Sequence, residues 1–180
     1  MATKITHPYF GSLDTSKVET LEDDTYDVLW EQEIPYKDSI VWVSFWFSKG
    51  NDLLKERLDA FESFIKKLSL REEQARKVLI QYLKEHPDYF NHFKEKTKRT
   101  PDDIETFVSE LELDMIDFWY PQEGEAEVDM YFAPYYDEDV ETEEVIAVQF
   151  ALSGEILSID WDSQFFYIKY FSYLCPICNS

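Results

Sequence analysis

Basic side chains are missing from a long part of this 180-residue chain. The first 100 residues carry 18 acidic and 16 basic side chains, whereas residues 101–162 carry 20 acidic side chains and no basic one. Proteins hold nucleic acid and anionic lipid mainly through Lys and Arg placed against phosphate. The charge of the second half therefore argues against nucleic acid and against a membrane surface as partners.

Glycine and long apolar runs are also scarce. The chain has four glycines, and none of its apolar stretches reaches the ~20 residues that a membrane-spanning helix needs. The first ten residues have neither the basic nor the apolar region of a secretory signal, so we expect a cytoplasmic protein. Neither a glycine-rich phosphate loop nor a Gly-x-Ser-x-Gly elbow is present, so the sequence offers no nucleotide-binding or serine-hydrolase motif.

The two cysteines and the histidines form no recognisable site. Cys175 and Cys178 lie at the chain end, where the helix that follows a thioredoxin-type pair has no room. A structural zinc site would need two further ligands, and His86 and His92 lack metal-ligand spacing. Reduced thiols, a local disulfide under oxidation and a metal site stay open for the cysteines, and we expect the two histidines to lie at the surface.

The composition indicates a folded domain. The chain is 44% hydrophobic and 17% aromatic, which is unlike a disordered acidic chain. A chain of this length buries roughly 70% of its unfolded surface, so it needs no disulfide or metal for a core. We predict one domain with strands at 1–50, a helical middle at 51–112, an acidic meander at 113–162 and an aromatic C-terminal segment at 163–180.

Alternating apolar residues predict the strands. Residues 26–31 alternate, residues 35–38 have turn chemistry, and residues 40–47 are apolar on both faces, which together predict a hairpin whose second strand is covered twice. Four further strands are predicted within residues 113–161, the last two joined by a turn at Ser153 and Gly154.

Three- and four-residue spacing of apolar residues predicts helices in the middle of the chain. Ser69 and Glu72 suggest a capping box that opens the second helix, and a third short helix is expected after Pro87. Thr100 and Pro101 suggest the start of a fourth helix. The predicted fold class is α+β, with an N-terminal β-hairpin, central helices and a C-terminal antiparallel β-meander.

The acidic half also contains many aromatic side chains. Alternation is expected to place Glu127, Asp129 and Asp160 on a solvated sheet face. A surface of one sign attracts an oppositely charged partner, and aromatic anchors are typical of binding hot spots. The predicted partner-binding residues are Trp119, Tyr120, Asp129, Tyr131, Tyr135, Tyr136, Asp137, Glu138, Asp139 and Glu141.

Several interpretations of these acids stay open. They could dock a basic protein, serve solubility alone, or bind cations weakly. The acidic run at 137–144 lacks the glycine of an EF-hand loop, so we predict neither a dedicated metal site nor a cofactor. The alternative to a binding protein is a hydrolase or metal-dependent enzyme with a cleft where carboxyl groups of perturbed pKa converge. A plain structural domain is the third possibility.

The opening His-Pro-Tyr-Phe-Gly-Ser-Leu at residues 7–13, with the following strands and paired helices, resembles a small bacterial family catalogued as domain of unknown function 2004. The resemblance covers roughly residues 5–83. It implies a bacterial cytosolic protein, similar in style to the small acidic immunity proteins of toxin systems, and implies no activity or catalytic residues. From the residues alone, Pro8 and Gly11 suit an anchored N-terminal turn, so we predict that His7 is structural. The leading hypothesis is a non-enzymatic, immunity-type inhibitor that masks a basic protein such as a nuclease toxin.

Overall fold

The computed structural model describes residues 4–18, 26–96, 100–121, 126–134 and 144–163. Within these ranges the chain forms a two-stranded hairpin, a six-stranded sheet and four α-helices. The α+β class predicted from the sequence is therefore confirmed. Among the described residues, no helix is both long enough and apolar enough to cross a membrane.

The N-terminal motif forms a hairpin of its own. Strands β1 (Lys4–His7) and β2 (Gly11–Asp14) pair antiparallel, and residues 8–10 form the turn between them. Gly11 has a φ of +71°, a conformation that glycine adopts without strain. Phe10 is 3% exposed and packs edge-on against Trp30, with ring centroids 4.9 Å apart. The motif thus anchors the N-terminal arm on the main sheet through aromatic contacts.

The main sheet combines the predicted hairpin and the predicted meander. Its strands lie side by side in chain order: β3 (Asp27–Tyr36), β4 (Ser39–Phe47), β5 (Leu111–Tyr120), β6 (Val128–Pro134), β7 (Glu144–Phe150) and β8 (Ile156–Ser163). All neighbouring pairs are antiparallel except β4 and β5, which are parallel. The helices connect these two strands, and a crossover of that length permits a parallel pair.

Four helices fill the connection between β4 and β5. They are α1 (Lys55–Lys66), α2 (Leu68–Glu85), α3 (Asp88–Lys96) and α4 (Ile104–Glu110). Their apolar sides pack on one face of the main sheet, where Phe61 and Phe64 lie 4.8 Å and 5.8 Å from Phe118 between ring centroids. We call this the helix side. Burial of one such phenylalanine contributes about 1.5–3 kcal/mol, so these contacts hold the two layers together.

Two predicted helix starts are wrong. Helix α2 begins at Leu68 without a side-chain cap, because Glu72 bonds to Tyr36 and to Lys37 instead of to its own helix end. Helix α4 is capped by Asp103, whose Oδ1 accepts a hydrogen bond from the backbone N–H of Thr106 at 2.8 Å. Tertiary contacts in the first case and a nearer cap in the second override the local signals.

Candidate functional site

The face of the main sheet opposite the helices is organised in rows that cross the strands. Residues paired in register project to the same face with Cβ atoms about 4.5–5.5 Å apart, so each pairing extends a row. The first row consists of Glu31, Ser44, Asp117, Asp129, Gln149 and Ser158, one residue from each strand. The second row consists of Glu33, Trp42, Met115, Tyr131, Ala147 and Asp160.

A shorter third row contains Val28, Trp46 and Trp119. We call these three rows together the acidic face. None of its residues is basic, and its acids come from β3, β5, β6 and β8. The rings of Trp46 and Trp119 stack with centroids 5.3 Å apart and an interplanar angle of 15°. The acidic face therefore combines carboxyl groups of one sign with indole rings.

Asp129 is held by three donors on this face. Its Oδ2 accepts hydrogen bonds from the Trp119 indole at 2.8 Å and from the Tyr131 hydroxyl at 3.3 Å. Its Oδ1 accepts a hydrogen bond from the Gln149 amide at 3.2 Å. Burial raises the pKa of Asp129 to about 6, and the three donors limit that rise because they favour the ionised form.

Asp117 is the most deeply buried carboxyl group of the acidic face. Its side chain is 0% exposed, and its hydrogen-bonding neighbours are the neutral side chains of Trp46, Ser44 and Tyr131. Burial raises the pKa of Asp117 to about 8, the nearby Trp46 indole opposes the rise, and the charge of Asp129 adds to it. At neutral pH Asp117 is therefore a buried carboxylic acid that retains its proton.

Buried carboxylates on the helix side differ from Asp117, because they have basic partners. Glu127 lies 2.6 Å from Arg57 Nη2 and also accepts a hydrogen bond from the Leu152 backbone N–H at 2.8 Å. Glu72 lies 2.7 Å from Arg76 Nη2. Burial alone would raise the pKa of Glu72, but hydrogen bonds from Lys37, Tyr36 and Arg76 lower it below its usual value.

Several residues predicted to bind a partner or to be solvated are buried. Tyr120 is 4% exposed because it alternates to the helix side, where its ring stacks on Phe47. Asp129 and Tyr131 lie on the acidic face at 7% and 4% exposure, hydrogen-bonded to each other. Glu127 is 8% exposed and paired with arginine, so its predicted position on a solvated face is wrong too. Asp160 is exposed as predicted, and Trp119 is half-buried.

Other predicted residues lie outside the described part of the chain. They are Tyr135, Tyr136, Asp137, Glu138, Asp139 and Glu141, together with Cys175 and Cys178. Their proposed roles stay predictions. The sequence does contain a signal for the two buried polar residues that were not predicted, since Ser44 interrupts the apolar run of β4 and Asp117 stands between Ile116 and Phe118 in β5. Such interruptions mark positions where a buried polar group needs a partner.

A second cluster of ionisable groups lies under the N-terminal hairpin. His7, Asp59 and Glu62 place possible ligand atoms within 4.8 Å of one another. However, the Nδ1 atom of His7 accepts hydrogen bonds from the backbone N–H groups of Tyr9 and Phe10 at 3.2 Å and 3.4 Å. A neutral imidazole with an accepting Nδ1 carries its proton on Nε2, which leaves no nitrogen lone pair for a metal.

The carboxylates of this cluster are also paired. Asp59 lies 3.0 Å from His7 Nε2 and 2.8 Å from Lys55 Nζ, and Glu62 lies 2.6 Å from Lys66 Nζ. His7 thus donates to Asp59 and fastens the hairpin to α1. This arrangement agrees with the structural role predicted for His7 and gives no support to a metal site.

Comparisons with family models, with curated proteins and with solved structures found no match to this chain. The family resemblance suggested by residues 7–13 stays a prediction. Function has to be inferred from the acidic face itself.

Proposed function

We propose that this is a non-enzymatic binding protein that docks a basic partner protein on its acidic face. The observation that carries the proposal is the composition of the three described rows, in which every charged residue is acidic and three tryptophans stand among the acids. A face of one sign speeds association with a partner of the other sign. Indole rings add attraction for Lys and Arg through cation–π contacts.

The residues available for docking are those that keep contact with solvent. Glu31 and Glu33 on β3 and Asp160 on β8 are exposed, and Trp42 and Trp46 are half-buried between them. Exposed carboxylates at the margins would capture basic side chains, and the indoles would supply the apolar area of a hot spot. The proposal therefore moves the centre of docking from the acidic run at 137–141 to the sheet.

The most concrete partner class is a basic bacterial toxin, with this chain as its immunity-type inhibitor. A nuclease has a basic active surface because its substrate is a phosphate polymer. An inhibitor of opposite charge gains both association rate and selectivity against such a surface. The overall charge of −21 supports this class, and the cytoplasm is the compartment where protection would be needed.

Charge reversal on the acidic face tests the proposal. The double variant Glu31→Lys with Glu33→Lys is compared with Glu85→Lys with Glu95→Lys, which changes the charge equally at exposed positions of α2 and α3. Affinity for an oligolysine peptide is measured by isothermal titration calorimetry at fixed salt. We expect the face variant to lose about tenfold in affinity, or about 1.4 kcal/mol, and the control variant to lose clearly less. Equal losses would show that only net charge matters and would refute the proposal.

The Asp117 and Asp129 pair favours a second candidate, an enzyme that uses acid–base chemistry. Neighbouring carboxyl groups with pKa values raised to about 8 and about 6 are suited to opposite proton-transfer roles. Both groups are more than nine-tenths buried, so a substrate would have to displace their covering neighbours. Hydrolytic activity that Asp117→Asn abolishes, with oligolysine binding unchanged, would favour this candidate over the binding protein.

A further inference from the structure

Strand β3 forms one edge of the main sheet. It pairs with β4 on one side, and among the described strands no other lies beside it. The pairing runs without a register shift from Trp30 to Tyr36, so this part of the edge is regular. Apart from the pairing with β4, residues 30–35 form no backbone–backbone hydrogen bond within the described part of the chain. An edge strand presents a row of unpaired N–H and C=O groups, which a further strand can use.

The middle of this edge is open to solvent. Glu31, Gln32 and Glu33 are all exposed, in contrast to the buried centre of the acidic face. Next to them, Ile40 of β4 stands opposite Pro35 and is 60% exposed, the largest exposure among the bulky apolar side chains described. A partner can therefore approach both the edge of β3 and an apolar side chain beside it directly from solvent.

The side chains of β3 alternate between two environments. Glu31 and Glu33 project to the acidic face, whereas Trp30, Gln32 and Ile34 project to the helix side. The outer two of these three are half-buried. A strand added beside β3 would place every second side chain next to the carboxylates and the others next to the helix-side row. Opposite charges and apolar contacts across a strand pair both stabilise the pair.

We propose that the basic partner adds an extended segment to β3, with a basic side chain at every second position and apolar side chains between them. This inference rests on the proposed function and gives the recognised part of the partner a conformation, that of a β-strand. In complexes formed by strand addition, main-chain hydrogen bonds supply affinity and alternate side chains supply specificity. The two carboxylates of β3 select for bases, and the half-buried side chains select for apolar residues.

The same edge disfavours a second copy of this chain. Antiparallel pairing of two β3 strands about Gln32 would place Glu31 of one copy opposite Glu33 of the other. Like charges directly opposite each other destabilise a strand pair. Each copy also carries a net charge of −21, so the copies repel each other as a whole. Acids on an edge strand thus prevent self-association, and here they leave the edge to a strand of opposite charge.

The other edge of the sheet provides a matched control. Asp160 of β8 is also an exposed acid of the acidic face. Five strand spacings separate β8 from β3, or about 24 Å at about 4.8 Å per spacing. Asp160→Lys therefore changes the charge of the same face as much as Glu33→Lys does, but far from the proposed strand.

Two peptides of identical composition test the inference on the parent protein. One alternates Lys and Val over ten residues, the length of β3, and the other has all its lysines before all its valines. Isothermal titration calorimetry at fixed salt measures both affinities. We expect the alternating peptide to bind about tenfold more tightly, because its bases all fall on one face of a strand. Methylation of every peptide nitrogen in the alternating peptide should remove this advantage.

Amide hydrogen exchange followed by NMR locates the bound peptide. Exchange should slow for backbone amides within residues 30–36 when the alternating peptide binds, and it should not change in β8. Glu33→Lys should weaken binding of the alternating peptide about tenfold, and Asp160→Lys should weaken it clearly less. Equal weakening by the two variants would mean that the bases recognise the face as a whole and would contradict strand addition.

Equal affinity for the two peptides, or unchanged exchange in β3 on binding, would overturn the inference. Both measurements use the unmodified protein, so neither depends on the folding of a variant. The double reversal of Glu31 and Glu33 separates this inference from the proposed function. If that variant loses oligolysine binding while the parent binds the two peptides equally, the docking face stands and strand addition is wrong. If the parent binds neither peptide nor oligolysine, both proposals are wrong.

Discussion

Glu72 and Asp117 are both buried carboxyl groups that lie on opposite sides of one sheet. Glu72 on the helix side is paired with Arg76 and Lys37, and its pKa is lowered. Asp117 on the acidic face has no basic neighbour among the described residues, and its pKa is raised. Burial acts on both groups in the same direction, so the difference comes from their partners.

The helices supply the bases on which the helix side depends. Arg71 of α2 donates to the carbonyl oxygens of Ser153 and Gly154 in the β7–β8 turn, and Arg76 donates to that of Leu111 at the start of β5. Gly154 has a φ of +91°, a conformation that glycine adopts without strain, and the Arg71 guanidinium lies where a side chain at this position would begin. Basic residues from the first half of the chain thus contact the strands of the second half on the helix side of the sheet.

This difference between the two faces relates the uneven distribution of charge along the sequence to the structure. Residues 101–162 contribute no base of their own, and the helices cover just one face of their strands. The buried acids that turn toward the helices gain basic partners, whereas Asp117 and Asp129 on the acidic face have neutral hydrogen-bonding partners. Buried acids with raised pKa values concentrate at functional sites, which is why the acidic face carries the proposed function.

Removal of a helix-side base should give the largest loss of stability. Arg76→Ala takes away the partner of Glu72 and the donor to two carbonyl oxygens, those of Val108 and Leu111. We expect the free energy of unfolding to fall by about 3–5 kcal/mol, because two carbonyl oxygens lose their donor and Glu72 keeps Lys37 as its one remaining basic partner. Urea denaturation at neutral pH measures the change.

Lys77→Ala provides the control for this prediction. Lys77 is the next residue of α2 and pairs with Glu73 at the exposed surface. Its removal should change stability by less than about 0.5 kcal/mol. Comparable losses in the two variants would show that the buried pair is no more important than a surface pair.

The two faces should respond to pH with opposite sign. The lowered pKa of Glu72 gives stability that is present above its usual pKa and lost in acid. The raised pKa of Asp117, to about 8, gives stability that is present in acid and lost as pH rises from about 4 toward 8. One proton that is bound in the folded state and not in the unfolded state, or the reverse, changes the free energy of unfolding by up to about 1.4 kcal/mol per pH unit.

Asp117→Asn should remove most of this alkaline loss. The amide has the shape of the protonated acid and cannot ionise, so the variant should equal the parent near pH 4 and exceed it increasingly as the pH rises to 8. Thermal unfolding at several pH values measures the two curves. Parallel curves for parent and variant would mean that Asp117 does not keep its proton on folding.

Substitution at the margin of the acidic face should have the smallest effect. Glu33 is exposed on the edge strand β3, opposite Trp42. Glu33→Gln should change the free energy of unfolding by less than about 0.5 kcal/mol, as surface substitutions usually do. A loss above 1 kcal/mol, measured by urea denaturation, would indicate that the margin is part of the folded core and is not available for docking.

Much of the fold follows from short-range patterns. Alternation in β4 predicts both of its faces, and the acids and aromatic residues of the second half predict a sheet with an unusual surface. The acidic face itself could not be predicted in detail, because the parallel pairing of β4 and β5 joins residues far apart in the chain. That register alone brings Ser44 opposite Asp117. Burial of Asp129 likewise depends on donors from β5 and β7.

The protonation state of Asp117 is the most direct test of the contrast between the two faces. Carbon-13 NMR of the aspartate and glutamate carboxyl groups, followed across pH, gives the pKa of each group, and Asp117→Asn and Asp129→Asn assign the two signals. We predict that Asp117 titrates near 8 and Asp129 near 6, while Glu72 titrates below its usual value. Titration of Asp117 and Asp129 at the ordinary aspartate value of about 3.9 would contradict the account.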